Sequence, residues 1–128
     1  MRLLVDSHAF LWSVEDRSQL SHRVTRLLAD GRNRQFVSMA SIWELAMKAS
    51  IGRLRFTRPF DVVIEDALKI HRYELLGVTL PHALRLAQLP PIHGDPFDRM
   101  LVAQAIEERC TLVTRDTTLH AYPVEHVW

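Results

Sequence analysis

Short apolar runs that alternate with helix-like segments are the feature of this sequence that most restricts its fold. The runs RLLV (2–5), QFVS (35–38) and TLVT (111–114) are nearly continuous in apolar character, and longer stretches with helical spacing lie between them. Strands alternate with helices in proteins that have a parallel sheet, and central parallel strands are apolar because both of their faces are buried. The sequence therefore predicts a parallel sheet with helices on both faces.

The other elements of this sheet are predicted from the same pattern. Two further strands are expected, at LLGVT (75–79) and near PVEHVW at the C-terminal end. Helices are expected at HAFLWSV, at LPHALRLAQL, over 61–73 and from Pro96 to about Arg109. Two more are expected, over 21–31 with Ser21 as cap and Gly31 as stop, and over 39–53 with an end near Gly52. The chain of 128 residues is the size of one domain and shows no repeat or linker, so residues 1–128 are expected to form a single domain.

Composition excludes several classes of protein. Hydrophobic residues make up 48% and charged residues 24%, as in a globular protein, and the net charge of +1 does not by itself indicate a nucleic-acid binder. The single cysteine, Cys110, excludes a disulfide framework. Asp6 interrupts the first apolar run, and no uncharged stretch approaches the about 18 residues of a membrane helix. We expect a soluble, cytoplasmic protein with no membrane partner.

Four acidic residues lie where the predicted sheet has its carboxyl edge. Asp6 directly follows the first strand, Glu44 lies early in the helix after the second, and Asp116 lies two residues past the fourth. Asp98 joins them if the helix that begins in HGDPFDRMLVAQA (93–105) starts at that edge. Binding sites of open parallel sheets form in the crevice at the carboxyl ends of the strands. The four acids are therefore expected to share one crevice.

Four carboxylates in one crevice repel one another unless a cation compensates for their charge. Ligation by oxygen alone favours Mg²⁺ or Mn²⁺ over zinc, and no two histidines show the spacing of zinc ligands on one helix. The sequence also lacks a glycine-rich phosphate-binding loop. The pattern therefore indicates a metal-activated water that attacks a phosphate ester.

Each of these acids also has a structural explanation. The first could form a turn after its strand, although a charge at the end of a buried strand is costly and favours a functional role. Glu44 completes a capping box with Ser41, or is free to bind a ligand if Ser38 caps the helix instead. Asp98 suits the third position of its helix, and Asp116 could cap the turn that follows it. Their joint placement is what favours function.

Four segments carry a resemblance to a known family: LLVDSHAFLW, SMASIWELAMK, HGDPFDRMLVAQA and LVTRDTTLHAY. In this order and spacing they resemble the PIN-domain family, and within it the VapC-type toxins, which are ribonucleases of type II toxin–antitoxin modules. The resemblance covers essentially the whole chain and implies a three-layer α/β/α fold with a central, mainly parallel five-stranded sheet. It also implies cleavage of RNA that depends on Mg²⁺ or Mn²⁺. Asp6, Glu44, Asp98 and Asp116 match the four catalytic, metal-binding acids of the family.

The same resemblance implies partners for the chain and supporting roles for other residues. The partners are an RNA substrate, a cognate antitoxin protein and a second copy of the chain in a homodimer. Ser38, Asp95, Arg99 and Thr114 are candidates to orient the ligands or the substrate, and Asp95 is also the expected N-cap of its helix. The apolar residues at 10–12 could line a groove for the antitoxin or belong to the core.

Two other functions remain open. A non-catalytic PIN-like module that binds RNA or protein would be supported by the loss of an acid, and all four acids are present. A magnesium-dependent phosphatase-type hydrolase would be expected to have Asp-x-Asp after the first strand, where this chain has Asp6-Ser7-His8.

Overall fold

Five strands form one sheet in the computed structural model, which describes residues 1–128. The strands are β1 (Arg2–Val5), β2 (Arg34–Ser38), β3 (Tyr73–Leu76), β4 (Thr111–Val113) and β5 (His126–Val127). Their order across the sheet is β3-β2-β1-β4-β5, and every neighbouring pair is parallel. The predicted five-stranded sheet is confirmed, and it is parallel throughout.

Six helices cover the two faces of this sheet. They are α1 (Ser7–Glu15), α2 (His22–Ala29), α3 (Met39–Ser50), α4 (Phe60–Lys69), α5 (Leu80–Ala87) and α6 (Pro96–Glu107), and short 3₁₀ turns lie at Arg17–Gln19 and Leu119–Ala121. Residues of α1 to α4 contribute to a core on one face, and residues of α5 and α6 contribute to the core on the other. The three-layer α/β/α fold is therefore confirmed.

The central strand β1 supplies side chains to both cores because successive residues of a strand point to opposite faces. Leu3 and Val5 belong to the core beneath α1 to α4, and Leu4 belongs to the core beneath α5 and α6. None of the three is exposed to solvent. Truncation of such a buried leucine to alanine costs about 2–5 kcal/mol. The strand that carries Asp6 at its end is thus rigidly held.

The order of the strands reverses beside β1, which has β2 on one side and β4 on the other. A reversal of this kind opens a crevice at the carboxyl ends of the two central strands. The Asp6 amide donates a hydrogen bond to the Val113 carbonyl at 3.0 Å, so the ends of β1 and β4 remain together. The fold thus positions a potential site between these two strand ends.

Several predicted boundaries were wrong. The third strand was expected at 75–79 but spans Tyr73–Leu76, and the helix expected over 61–73 ends at Lys69. Arg72 has a φ of 60°, in the left-handed region, so the chain turns sharply there and the strand begins immediately afterwards.

Other helices are shorter than expected. The helix predicted over 39–53 ends at Ser50, and Gly52, with a φ of 73°, follows it in the left-handed conformation that only glycine adopts without strain. The helix predicted over 21–31 ends at Ala29. No helix combines the length and the apolar character that crossing a membrane requires.

Candidate metal centre

Asp6 is a buried carboxylate at the junction of β1 and α1. It is the N-cap of α1, and its Oδ1 accepts the Ala9 amide hydrogen at 2.8 Å. Burial raises the pKa of Asp6 above its usual value, although hydrogen bonds from Thr114 and Ala9 oppose this effect. The negative charge of Asp116 raises the pKa of Asp6 further. Asp6 thus combines a local capping role with a place in a group of interacting acids.

Asp98 lies at the start of α6, three residues after the residue that caps this helix. As expected, Asp95 is the N-cap, and its Oδ1 accepts the amide hydrogens of Phe97 and Asp98 at 2.8 and 3.1 Å. Burial raises the pKa of Asp98 to about 7, with further contributions from the negative charges of Asp95, Asp6 and Glu44. Asp98 is therefore a partly buried acid that also experiences the charges of neighbouring acids in the crevice.

The two alternatives for Glu44 are resolved by the start of α3. Ser38 is the N-cap, since its Oγ accepts the Ala40 amide hydrogen at 3.0 Å, and Glu44 lies in the second turn. The buried Ser41 hydroxyl has no hydrogen-bond partner, so the capping box with Glu44 does not form. Glu44 is buried, and its two oxygens accept from Ser7 Oγ at 2.6 Å and Lys48 Nζ at 3.2 Å. Its carboxylate is thus held in one orientation.

Asp116 and Thr114 lie in the loop after β4. The Asp116 Oδ1 accepts the Thr118 amide hydrogen at 2.9 Å, and the Thr114 Oγ1 accepts the Asp116 amide hydrogen at 3.1 Å. Because the Thr114 hydroxyl also hydrogen-bonds to Asp6, it links two of the acids. Partial burial raises the pKa of Asp116, but hydrogen bonds from Thr118 and His93 outweigh it and hold this pKa below its usual value.

His93 belongs to the same site, and the sequence analysis missed it. Its Nε2 lies 3.2 Å from Asp116 Oδ2 and 3.7 Å from Asp98 Oδ2. Potential metal-ligand atoms of these three residues all lie within 4.8 Å of one another. The usual spacing of zinc ligands applies to pairs of histidines on one helix, whereas His93 reaches the acids from the loop before α6.

The backbone determines which nitrogen of His93 carries a proton. Its Nδ1 accepts the Asp95 amide hydrogen at 3.0 Å, so this nitrogen presents a lone pair and not a proton. The neutral ring therefore carries its proton on Nε2, which donates to Asp116. A nitrogen that carries a proton has no lone pair for a metal ion. The ligands available to a cation at this site are therefore oxygens.

The remaining candidates have contacts that explain their positions without a ligand. The Arg99 guanidinium donates to the Pro90 carbonyl at 3.0 Å and to the Tyr122 hydroxyl at 3.2 Å, which anchors the loop before α6. Ser38 is buried as the cap of α3. Their roles in orienting ligands or substrate stay predictions.

The four acids identified from the sequence act on one another at the carboxyl edge of the sheet. Asp98 is influenced by the charges of Asp6 and Glu44, and Asp6 by the charge of Asp116. Such crowding is compensated best by a hard divalent cation, and the oxygen ligands suit Mg²⁺ or Mn²⁺. The residues present therefore fit a divalent metal ion.

The fold and the site define an α/β protein with an acidic crevice where the strand order of a parallel sheet reverses. The family model of the PIN domain matches residues 3–125, and the chain belongs to the PIN-domain family. It is 29% identical over 121 residues to Ribonuclease VapC22 of Mycobacterium tuberculosis, a match that covers 94% of this chain and 91% of the relative.

Several solved structures share this fold. VapBC2 from Rickettsia felis, bound to a DNA fragment from their promoter, gives a TM-score of 0.75 at 15% identity over 99% of this chain and 98% of that chain. FitAcB from Neisseria gonorrhoeae gives a TM-score of 0.67 at 20% identity over 98% of this chain and 96% of that chain. At this level of identity, the likeness establishes the fold.

Proposed function

We propose that residues 1–128 form a single PIN-like nuclease domain that is a metal-dependent endoribonuclease, the toxin of a toxin–antitoxin pair. The observation that carries this proposal is the grouping of acids in one crevice, where burial, and then the charges of Asp95, Asp6 and Glu44, raise the pKa of Asp98 to about 7. The relative named Ribonuclease VapC22, matched over 94% of this chain, supports RNA as the substrate.

The four acids of this crevice share one role in the proposed reaction. Asp6, Glu44, Asp98 and Asp116 would hold a divalent cation through their oxygens. When bound, Mg²⁺ or Mn²⁺ supplies charge neutralisation at the phosphate and lowers the pKa of an attacking water. Thr114 fixes the orientation of two of the acids, and such partners of ligands contribute about 10–100-fold to metal affinity or activity.

Hydrogen bonds already orient the carboxylates of Glu44 and Asp116 before any cation binds. Ser7 and Lys48 hold the two oxygens of Glu44, and His93 holds one oxygen of Asp116. Since the proton on His93 Nε2 excludes it as a ligand, the proposed cation is Mg²⁺ or Mn²⁺ and not zinc. Calorimetric titration tests this choice, and His93→Gln, which still offers an N–H donor, should retain Mg²⁺ affinity within about threefold. Loss of Mg²⁺ binding in that variant would identify His93 as a ligand.

The decisive experiment is cleavage of RNA by purified protein. We expect cleavage with Mg²⁺ or Mn²⁺, none in EDTA, and none by Asp98→Asn protein purified in parallel, which controls for contaminating nuclease. Cleavage that persists after chelation, or in the variant, would contradict the proposed mechanism. Intact RNA under every condition would favour the binding-only alternative. Family membership already argues against the phosphatase-type alternative.

The proposed toxin role is tested in cells. Expression of the chain without a cognate antitoxin protein should arrest growth by cleavage of RNA in the cytoplasm, and Asp6→Ala should relieve the arrest. Support comes from the sequence resemblance to VapC-type toxins and from the fold shared with VapBC2. Equal growth with wild type and variant would remove the toxin role and leave the nuclease activity intact as a proposal.

A homodimer is the proposed assembly. Helix α3 and its C-cap residue expose an apolar stripe with a spacing of four residues, which consists of Met39, Trp43, Met47 and Ile51. Helix α5, which like α3 packs on α6, exposes Leu80 and Leu84. Trp43 is 60% exposed although it is a large aromatic residue, which is typical of an interface. Light scattering should give the mass of a dimer for wild type and of a monomer for Trp43→Glu. A monomeric wild type would contradict this assembly.

A further inference from the structure

A small pocket of about 290 Å³ lies directly beside the acidic crevice. Two of the acids, Asp6 and Asp116, form part of its lining, and His8, Trp12 and Arg115 form the rest. Ligand pockets span about 300–1,000 Å³, so this one is at the small end of the range. It has the size for one unit of a polymer whose neighbouring unit lies at the acids.

Arg115 has an unusual position in this pocket. It belongs to none of the ion pairs of the protein, although Asp116 is its neighbour in the chain and Asp6 lines the same pocket. Instead, its guanidinium lies over the ring of Trp12, with Cζ 4.9 Å from the ring centroid. Its charge and its N–H donors therefore remain available to a ligand.

The ring of Trp12 is held in place by its other neighbours. Trp128 meets it edge-on, with the ring centroids 5.9 Å apart and an angle of 63° between the planes. His8, one helical turn earlier, has its ring centroid 5.6 Å away. Trp12 also packs against the core beneath α1 to α4. A platform that is already ordered loses little conformational entropy when a ligand stacks on it.

We propose that Trp12 and Arg115 form a nucleotide subsite for single-stranded RNA beside the cleavage position. A base stacks on the free face of the Arg115 guanidinium, and an adjacent phosphate accepts hydrogen bonds from its N–H groups. Stacking of unpaired bases on arginine planes and aromatic rings is a general mode of RNA recognition. This subsite rests on the proposed ribonuclease function and adds to it how the substrate is held.

The chemistry of the pocket favours RNA over a peptide. A planar base matches the stacked Trp12 and Arg115, and a phosphate matches an arginine that lacks an acidic partner. Duplex RNA does not fit this mode because its bases are stacked on one another and not on the protein.

The test is the affinity for a labelled single-stranded RNA across a series of salt concentrations, measured by fluorescence anisotropy. The parent is Asp98→Asn protein, which does not cleave RNA and has lost one repelling charge. Arg115→Gln should weaken binding about tenfold and lower the salt slope by about 0.7, the value for one phosphate contact. Arg115→Lys keeps the charge but not the plane, so it should retain the salt slope and still lose affinity.

Matched variants make the result specific to this pocket. Arg23→Gln removes an unpaired arginine that lines a pocket with Met1 and Thr111, at the opposite edge of the sheet, and should leave affinity and salt slope unchanged. Trp12→Phe should bind more tightly than Trp12→Leu because it retains a ring. Melting temperatures control for folding, and the exposed Arg115 is not part of either core.

The outcomes separate this proposal from the proposed function. If Arg115→Gln binds RNA within twofold of its parent and with the same salt slope, the subsite is overturned. If wild-type protein fails to cleave RNA with Mg²⁺ while the Arg115 variants still weaken RNA binding, the proposed function fails and the subsite stands. We expect Arg115→Gln to lose both affinity and salt slope, Arg115→Lys to lose affinity alone, and Arg23→Gln to lose neither.

Discussion

The two edges of the sheet differ in how their charged side chains are paired. At the amino edge, where β1 and β2 begin, Arg34 pairs with Glu74 at 2.7 Å, and Arg2 lies 3.8 Å from Glu108. At the carboxyl edge, Glu44 pairs with Lys48, but Asp98 faces other acids and Arg115 has no acidic partner. Since the chain carries a net charge of only +1, this imbalance is a matter of placement and not of composition.

The pKa values of the acids record the same difference. Near the amino edge, the hydrogen bonds from Arg34 hold the pKa of Glu74 below its usual value, and those from Arg32 lower the pKa of Asp30 to about 2. At the carboxyl edge, burial and neighbouring acids raise the pKa of Asp98 to about 7. Acids whose negative charge is not neutralised by other residues of the folded chain indicate where a ligand such as a cation binds.

The largest effect is expected from neutralising an acid at the carboxyl edge. Asp98→Asn should lower RNA cleavage by about a hundredfold or more, since it removes a charged oxygen from a preorganised site. Glu74→Gln, the matched change at the amino edge, should leave cleavage unchanged. Steady-state cleavage rates of both variants test this contrast. Equal losses of cleavage activity in the two variants would contradict the difference between the edges.

The stability of the metal-free protein should depend on pH through Asp98. Its pKa is about 7 in the folded protein, against an ordinary value of 3.8, so between these values the folded state binds more protons than the unfolded state. This contribution is complete below about pH 4 and is lost as the pH rises through 7. After a discount for partial exposure of the carboxylate, we expect a loss of about 2 kcal/mol.

Urea unfolding of wild type and Asp98→Asn in EDTA, at pH 5 and pH 8, measures this loss. The variant should be destabilised less by the rise in pH, and added Mg²⁺ should stabilise wild type but not the variant. Asp95→Asn is the control, because asparagine is also a good N-cap. If wild type and Asp98→Asn respond identically to pH and to Mg²⁺, Asp98 is only a helix acid.

A smaller effect is expected from the threonine that links two acids. Thr114→Val should weaken Mg²⁺ binding about 10–100-fold, because the hydroxyl orients Asp6 and Asp116. Thr111→Val, at the other end of the same strand, is the matched control and should bind Mg²⁺ normally. Calorimetry of the two variants compares the edges directly. Unchanged Mg²⁺ binding in Thr114→Val would show that the acids need no such support.

The smallest effect is expected at the amino edge itself. Arg34→Gln breaks an exposed ion pair, so we expect the melting temperature to fall by about 2 °C or less, and the difference to vanish in about 1 M salt. Differential scanning calorimetry at two salt concentrations measures this change. A large decrease in melting temperature that salt does not remove would mean that substitutions at the amino edge affect the protein as strongly as those at the carboxyl edge.

The sequence alone was sufficient to predict that the four acids lie at one edge of the sheet. Asp6 and Asp116 follow parallel strands, and the carboxyl ends of parallel strands meet at one edge whatever the details of packing. The choice between Ser38 and Ser41 as cap of α3 depended on the backbone conformation at one residue, which spacing alone does not determine. It was therefore left open by the sequence and resolved by the structure.

His93 and the start of β3 could not be predicted for a different reason. His93 lies in a loop without periodicity, and its contact with Asp116 depends on how the residues before α6 fold back. Strand β3 is at the edge of the sheet, where Glu74 pairs with Arg34, so its polar start did not resemble the buried strands. An apolar run is a good guide to a central strand and a poor one to an edge strand.

The pairing of β1 with β4 joins two segments that lie far apart in the chain, since Leu3 lies opposite Thr111. Contacts between such distant parts of a chain form late, because closing a long loop costs entropy before any contact repays it. Asp6 leaves the ribosome long before Asp116 does, so the two acids cannot meet until the segment that carries Asp116 has been translated. A nascent chain that stops short of β4 therefore has no assembled crevice.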